Sequence, residues 1–290
     1  MNEYEIELAI FRKTGKRLFD EMPEILNKLS AKEFLKIGAS GDKTYPIDQK
    51  AEEIIFEELN TYYRRGGRFT LISEEYGFKD FGDIRRKILI DPVDGSNNAR
   101  MGIPFYSTSI ALVEGDILKE TRIGYVINLV NGEEFWAIEG KGAFMSDYHS
   151  REHKKINASP ETEINLVLYE AASPSRDLLK IIPLLKRSNR TRCLGSTALD
   201  LSYLAKGACS LLIIPFPSRS FDYAAGWIIL KEAGGIITDL DGNDIGGTSI
   251  GVEKTVSLVA SPNKYIHKKT LDIIGRSFER KGNMAHRPTR

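Results

Sequence analysis

The segment Leu89-Ile90-Asp91-Pro92-Val93-Asp94-Gly95-Ser96 holds two carboxylates three positions apart, directly behind an apolar run, with a Gly-Ser step after them. It reads as a strand that ends by delivering both acids and a row of free backbone N–H groups to one spot. Carboxylate oxygens suit a hard divalent cation, and N–H groups at a helix start suit a phosphate. Pro92 stiffens the turn, so the Val93 carbonyl is presented as a third oxygen. The chemistry implied is metal-assisted work on a phosphate. By itself, an Asp-x-x-Asp also reads as an ordinary turn with two solvated acids.

Two other segments change that balance. Glu74 and Glu75 follow a strand-like run at Phe69–Ile72. Ser220-Phe221-Asp222-Tyr223-Ala224-Ala225-Gly226-Trp227 opens a helix with an acid and then small residues, which let a backbone or a ligand approach closely. Alone, Asp222 reads as a helix cap.

Taken together, Ile72-Ser73-Glu74-Glu75, Asp91 to Ser96, and Phe221 to Gly226 resemble, in order and spacing, the three-part signature of the inositol monophosphatase family. Asn98 to Ser107 resembles the archaeal branch that includes fructose-1,6-bisphosphatases, and the likeness runs from about Ile37 to Gly235. The resemblance implies a layered αβαβα sandwich, part α+β and part α/β. It also implies a Mg²⁺-dependent phosphomonoesterase acting on inositol monophosphate or a related sugar phosphate, with fructose-1,6-bisphosphatase as the alternative or a second activity. Two or three Mg²⁺ ions would be held by Glu74, Asp91, Asp94 and Asp222 with the Val93 carbonyl. Water would attack in line, oriented by Glu74 and by Ser96, which stands where the family usually has Thr. Gly95 and Ser96 would hold the phosphate beside Asp94.

Other carry-overs are less clean. Asp42 lies six residues before Asp48, matching an acid near a third metal in bacterial and animal members, whereas many archaeal relatives carry that acid at the position of Ser40. Gly38 and Gly41 would let this loop close over substrate. Leu194 to Ala198 resembles the segment beside the ring, making Gly195 and Ser196 substrate contacts; the same residues also read as a helix cap. Pro215, seven residues before Asp222, replaces an acid of inositol-preferring animal enzymes, and Arg219 nearby could hold a second phosphate in bidentate fashion. That departure favours a phosphorylated sugar or a bisphosphate. The family also suggests a homodimer. A phosphatase attacking directly with Asp91, of haloacid-dehalogenase type, would want Asp-x-Asp spacing; a silent sugar-phosphate-binding protein would have lost a ligand acid.

Positioning these residues requires two different halves. In residues 1–150, amphipathic helices at 4–29 (disturbed near Pro23) and 49–63 (capped by Asp48) precede closely spaced strands at 69–72, 87–90, 107–113, 123–128 and 134–138. That pattern predicts a largely antiparallel sheet covered by helices, carrying most of the metal ligands. In residues 151–290, strands at 166–169 and 209–215 alternate with helices at 175–187, 197–206 and 223–233, an α/β pattern carrying Asp222 and the substrate contacts. The basic tail from Arg276 reads as a frayed terminus.

Composition narrows the partners. With 41 basic and 40 acidic residues in 290, the chain has no global field to attract nucleic acid or an anionic membrane, so a small phosphate ester is the expected partner. Two cysteines provide no disulfide framework. Without a signal-like start or an apolar run of about 18 residues, a soluble, cytoplasmic protein is expected. Asp239 to Asp244 imitates a calcium loop, but Ile250 stands where the closing Glu belongs, so a hairpin turn is predicted. His149 and His153 read as solvated surface, and Asn157-Ala158-Ser159 as an unused glycosylation match.

Overall fold

The computed structural model describes residues 3–28, 35–41, 43–148 and 152–284. The first half runs α1 (Glu3–Lys28), β1 (Lys36–Ile37), β2 (Lys43–Thr44), α2 (Pro46–Arg64), β3 (Thr70–Ser73), β4 (Gly77–Asp80), β5 (Arg86–Asp94), α3 (Ser96–Met101), β6 (Ser107–Glu114), β7 (Thr121–Asn128), β8 (Glu134–Ile138) and β9 (Gly142–Ser146). Then follow β10 (Lys154–Ile156), β11 (Leu166–Tyr169), α4 (Pro174–Leu185), β12 (Arg190–Arg192), α5 (Thr197–Ala205), β13 (Leu211–Arg219), α6 (Ser220–Glu232), β14 (Ile236–Thr238), β15 (Lys254–Ser261) and α7 (Lys264–Met284).

These elements stack as helix, sheet, helix, sheet, helix. The first sheet has eight strands in the order β10-β9-β8-β7-β6-β5-β3-β4, antiparallel except where β3 pairs with β5. The second has five, β12-β11-β13-β15-β14, with β11 parallel to both neighbours. Along the central strands side chains alternate between the two faces, and both faces are apolar. On β5, Ile88 and Ile90 join the core under α1 and α2, while Leu89 joins the core around α5 and α6. On β13, Leu212 and Ile214 face that middle layer, and Leu211 and Ile213 face α4 and α7. Period-two burial on both faces is what a sheet covered by helices on each side requires.

The halves share the middle layer. β10, past residue 150, still extends the first sheet, and α5 and α6 pack on strands of both sheets. The small residues of α6 serve this packing. A Cβ on Gly226 would stand 2.6 Å from Leu201, and one on Gly124 of β7 would stand 2.5 Å from the Ala225 carbonyl. The close approach foreseen there is made by the protein itself, through the Leu201 side chain and the backbone of β7, with Ala224 and Ala225 fully buried.

Several element ends differ from the sequence reading. α1 runs through Pro23, which lies on its exposed side. α2 starts at Pro46, the first helical position that proline favours, so Asp48 is the third helical residue and not the cap; its Oδ2 accepts the Tyr45 N–H at 2.9 Å. Residues 276–284, read as frayed, belong to α7. The Asp239 turn is closed by its own carboxylate, which accepts the N–H groups of Asp241 and Asn243 at 2.9 and 2.8 Å.

Candidate active site

A strand of regular pleat points residues three apart to opposite faces. Asp91 and Asp94 escape this because β5 does not stop at Ile90: it continues to Asp94 through a bulge. Asp91 pairs with Ser109 of β6 and Asp94 with Ser107, so two residues of β5, Pro92 and Val93, stand opposite one of β6, Thr108. Pro92, which has no N–H to leave unpaired, occupies the irregularity. Its carbonyl accepts the Thr108 hydroxyl at 2.8 Å, and Asp91 Oδ1 accepts the Val93 N–H at 3.0 Å.

Three further elements bring acids to this bulge. Parallel pairing sets Ser73 opposite Ile90, so Glu74, whose N–H reaches the Ile90 carbonyl at 3.3 Å, emerges beside Asp91. β13 passes into α6 without a loop. Asp222 lies in the first turn of α6, its Oδ2 accepting the Arg219 N–H at 3.0 Å, and the Phe221 carbonyl is pinned by Ser109 Oγ at 3.2 Å. From α2 comes Asp48, buried and close enough to Glu74 and Asp91 to act on both electrostatically.

The acids repel one another in a desolvated space. Burial, then Glu74, Asp94 and Asp222, push the Asp91 pKa well above the usual carboxylate range. Glu74, only partly shielded as a residue, is raised by burial of its carboxyl and by Asp222, Glu75 and Asp48, with Arg219 opposing. Asp48 is pushed up to about 7 by burial, against the Tyr45 N–H. A set of buried oxygens with so little cationic compensation is the donor set a hard divalent cation satisfies. Among the described residues no three or more Asp, Glu, His or Cys side chains are spaced to hold a metal ion as they stand.

Asp94 has a second duty. It accepts Ser196 Oγ at 2.6 Å, the Ala198 N–H at 2.8 Å, the Thr197 N–H at 3.3 Å and Ser107 Oγ at 3.4 Å. It therefore caps α5, and these donors hold its pKa to about 6 against burial. Ser196 was read as a substrate contact. Its side chain is wholly buried and spent on Asp94 and on Ser107, 3.0 Å away. Gly195 does reach the site edge. Its carbonyl lies where a Cβ on Gly95 would come within 2.8 Å, and both glycines have positive φ, +87° and +90°. Gly95 caps α3 in this left-handed conformation, so Ser96 is the first helical residue and not the cap.

Arg219 was read as a clamp for a second phosphate. Its guanidinium donates to the Ser40 carbonyl at 2.9 Å, and the residue is buried. That contact ties the loop of residues 38–41, itself bonded to the Glu74 and Glu75 carbonyls, to the start of α6. Asp42 lies outside the described residues. Glu74, Asp91, Asp94 and Asp222 are thus brought together with Val93 and with the Gly95–Ser96 step.

Sequence reasoning missed Asp48 as a member of the cluster, having assigned it to capping. It also missed Glu170 and Asp200. Burial, then Asp94, raises Glu170 to about 7; burial and Glu170 raise Asp200 well up. The signal existed for Glu170: like Glu74 and Asp91, it directly follows an apolar strand run.

Comparison with known proteins gives the family and the fold. The model of the inositol monophosphatase family matches residues 2–278. A Methanococcus maripaludis protein named bifunctional NADP phosphatase/NAD kinase is 35% identical over 259 residues, which are 84% of this chain and 44% of that protein. The chain thus spans under half the length of that relative. A Methanothermobacter thermautotrophicus protein named fructose-1,6-bisphosphatase/inositol-1-monophosphatase is 33% identical over 258 residues, 84% of this chain and 89% of its own length. Among solved structures, the extragenic suppressor protein suhB of Bartonella henselae superposes with a TM-score of 0.77 at 25% identity, covering 93% of this chain and 98% of that one. With its family model matched almost end to end, the chain belongs to the inositol monophosphatase family.

Proposed function

We propose that the chain is a Mg²⁺-dependent phosphomonoesterase that hydrolyses inositol monophosphate or a related sugar phosphate by attack of water. The observation carrying this reading is the convergence of Glu74, Asp91, Asp94, Asp222 and Asp48 around the β5 bulge, in a chain of this family. Glu74, Asp91, Asp94, Asp222 and the Val93 carbonyl would hold two or three ions, Asp42 serving the third. Bound there, Mg²⁺ supplies charge neutralisation at the phosphate and the leaving oxygen, and acidifies a water.

The chain's own groups do the rest. Backbone N–H groups at Gly95 and Ser96 hold phosphate oxygens. Ser96 Oγ and Glu74 orient the water. Asp48 stands beside Glu74 and Asp91 on the α2 side of the cluster. The Gly195 backbone borders the alcohol. The Arg219 guanidinium donates to the Ser40 carbonyl and so ties the loop of residues 38–41 to the start of α6. The reading extends to a homodimer in the cytoplasm, checked by light scattering and cell fractionation. Among the described residues no helix is long and apolar enough to cross a membrane.

A second reading, fructose-1,6-bisphosphatase, is favoured by Pro215 in place of an acid and by the name of the Methanothermobacter relative. The Methanococcus relative's name adds the phosphate of NADP. The deciding experiment measures phosphate release, with and without Mg²⁺, from inositol 1-phosphate, fructose 1,6-bisphosphate and NADP. Mg²⁺-dependent release from one or more is expected and ranks the alcohols; none from any overturns the proposal.

A further inference from the structure

Asn98 lies on α3, half-buried, directly after the Gly95–Ser96 step and its neighbour Asn97. Its side-chain Nδ2 donates to two carbonyls, that of Phe105 at 2.8 Å and that of Leu194 at 2.6 Å. The first stands just ahead of β6; the second stands in the loop ahead of α5, 96 residues along the chain. With two carbonyl oxygens as neighbours, only the NH₂ end of the amide can face them, since a flipped side chain would set three oxygens together. Both amide hydrogens are therefore spent. Asn98 sits beside the phosphate step with no amide hydrogen left for a phosphate oxygen.

Three segments close around this amide. A Cβ on Gly195 would stand 2.9 Å from Asn98 Nδ2, and one on Gly95 would stand 2.8 Å from the Gly195 carbonyl and 3.1 Å from the Phe105 carbonyl. The Asn98 carbonyl accepts the Ile103 N–H at 2.9 Å, folding the segment after α3 back onto the helix. Phe105 sets its ring edge-on to Tyr203 of α5, with centroids 5.7 Å apart. The loop ahead of α5 is thus tied to the first half on both sides of Gly195. Asp94 takes the donors of Ser196, Thr197 and Ala198, and Asn98 takes the Leu194 carbonyl.

We propose that Asn98 is a positioning residue that sets specificity for the alcohol: it fixes the Leu194–Gly195 loop as a wall beside the leaving group. This rests on the reading above that the Gly195 backbone borders the alcohol. A wall held by its main chain keeps its place when a ring-bearing ester binds. Released from Asn98, it drifts from Gly95 and loses its contacts with the ring, while an anion that carries no alcohol is held as before.

The test compares a whole ester with inorganic phosphate, which has no alcohol to meet the wall. Asn98→Leu keeps the bulk and removes both donors; Asn98→Ala removes them and opens both carbonyls to water. Each raises KM about tenfold for whichever of inositol 1-phosphate, fructose 1,6-bisphosphate and NADP the wild-type protein hydrolyses, the scale of lost hydrogen bonds, and leaves kcat within about twofold. The inhibition constant of inorganic phosphate stays within about twofold of wild type. A merely structural role would move both constants together. Hydrogen exchange needs no activity: the Gly195, Thr197 and Ala198 amides exchange faster in Asn98→Ala, and those of α2 are unchanged. An equal rise in KM and in the phosphate inhibition constant, a rise in neither, or unchanged exchange at the loop overturns the proposal. Should Asn98→Leu fail to fold, Asn98→Ala supplies every readout. If the wild-type protein releases no phosphate from any of the three esters, the functional reading fails, and exchange alone decides whether Asn98 holds the loop.

Discussion

Asp91 concentrates the conflict in the site, being buried among Glu74, Asp94 and Asp222 with its pKa pushed well up. Asp91→Asn removes one of the repelling groups. Mg²⁺-dependent phosphate release is expected to vanish, while the Mg²⁺-free protein melts ~2–4 °C higher for each kcal/mol relieved, in calorimetry without metal. Near-normal turnover would sink the metal site. The same crowding predicts a pH dependence with a definite sign. Asp94 and Asp48 have folded-state pKa values raised to about 6 and about 7, against about 3.9 when unfolded. A raised acid binds its proton more tightly when folded, so the stability it contributes is present below about pH 4 and is lost as pH climbs through the folded values. The melting temperature of the metal-free protein should fall between about pH 4 and 7, and the gain on adding Mg²⁺ should grow across that window, since ligand oxygens must be deprotonated. A Mg²⁺ gain that is flat in pH would contradict this linkage.

Among the elements, the β5 bulge and the turn after it do the positioning. Gly95→Ala puts a Cβ 2.8 Å from the Gly195 carbonyl, at a φ of +90° that a side chain disfavours. It should cost on the order of 1–3 kcal/mol in denaturant unfolding and lower turnover further by parting the two loops. Ser196→Ala is a gentler test. It deletes the 2.6 Å donor to Asp94 but leaves the Ala198 N–H in place, so about 1–2 kcal/mol should be lost, with a weakened Mg²⁺ response. If Ser196 instead contacted substrate, KM would rise with no change in stability.

At the scale of the molecule, the site lies where three layers meet. The first sheet supplies Glu74, Asp91 and Asp94, the middle helices supply Asp222 and the α5 start, and α2 on the outer face supplies Asp48. Arg219 joins the loop of residues 38–41 to α6 across that junction. Arg219→Ala should therefore weaken turnover on inositol 1-phosphate and fructose 1,6-bisphosphate to the same degree. It should also make residues 38–41 more susceptible to protease. A selective loss on the bisphosphate would restore the second-phosphate role.

Much of this was legible in the chain alone. Short, closely spaced apolar runs at 107–113, 123–128 and 134–138 marked the antiparallel sheet, and they are buried almost throughout because helices cover both faces. The acids at 74, 91, 94 and 222 stood out because their three segments together resemble one family's signature, whereas each alone reads as a turn or a helix cap. Only the tertiary structure decided which groups share a space. The bulge that aligns Asp91 with Asp94 depends on register against β6. The partners of Ser196, Arg219 and Asp48, namely Asp94, Ser40 and the acid cluster, lie far away in sequence. Local spacing determines which chemistry a segment could serve; long-range contacts determine which atoms are already occupied, since a buried polar group must take whatever partner the fold brings to it.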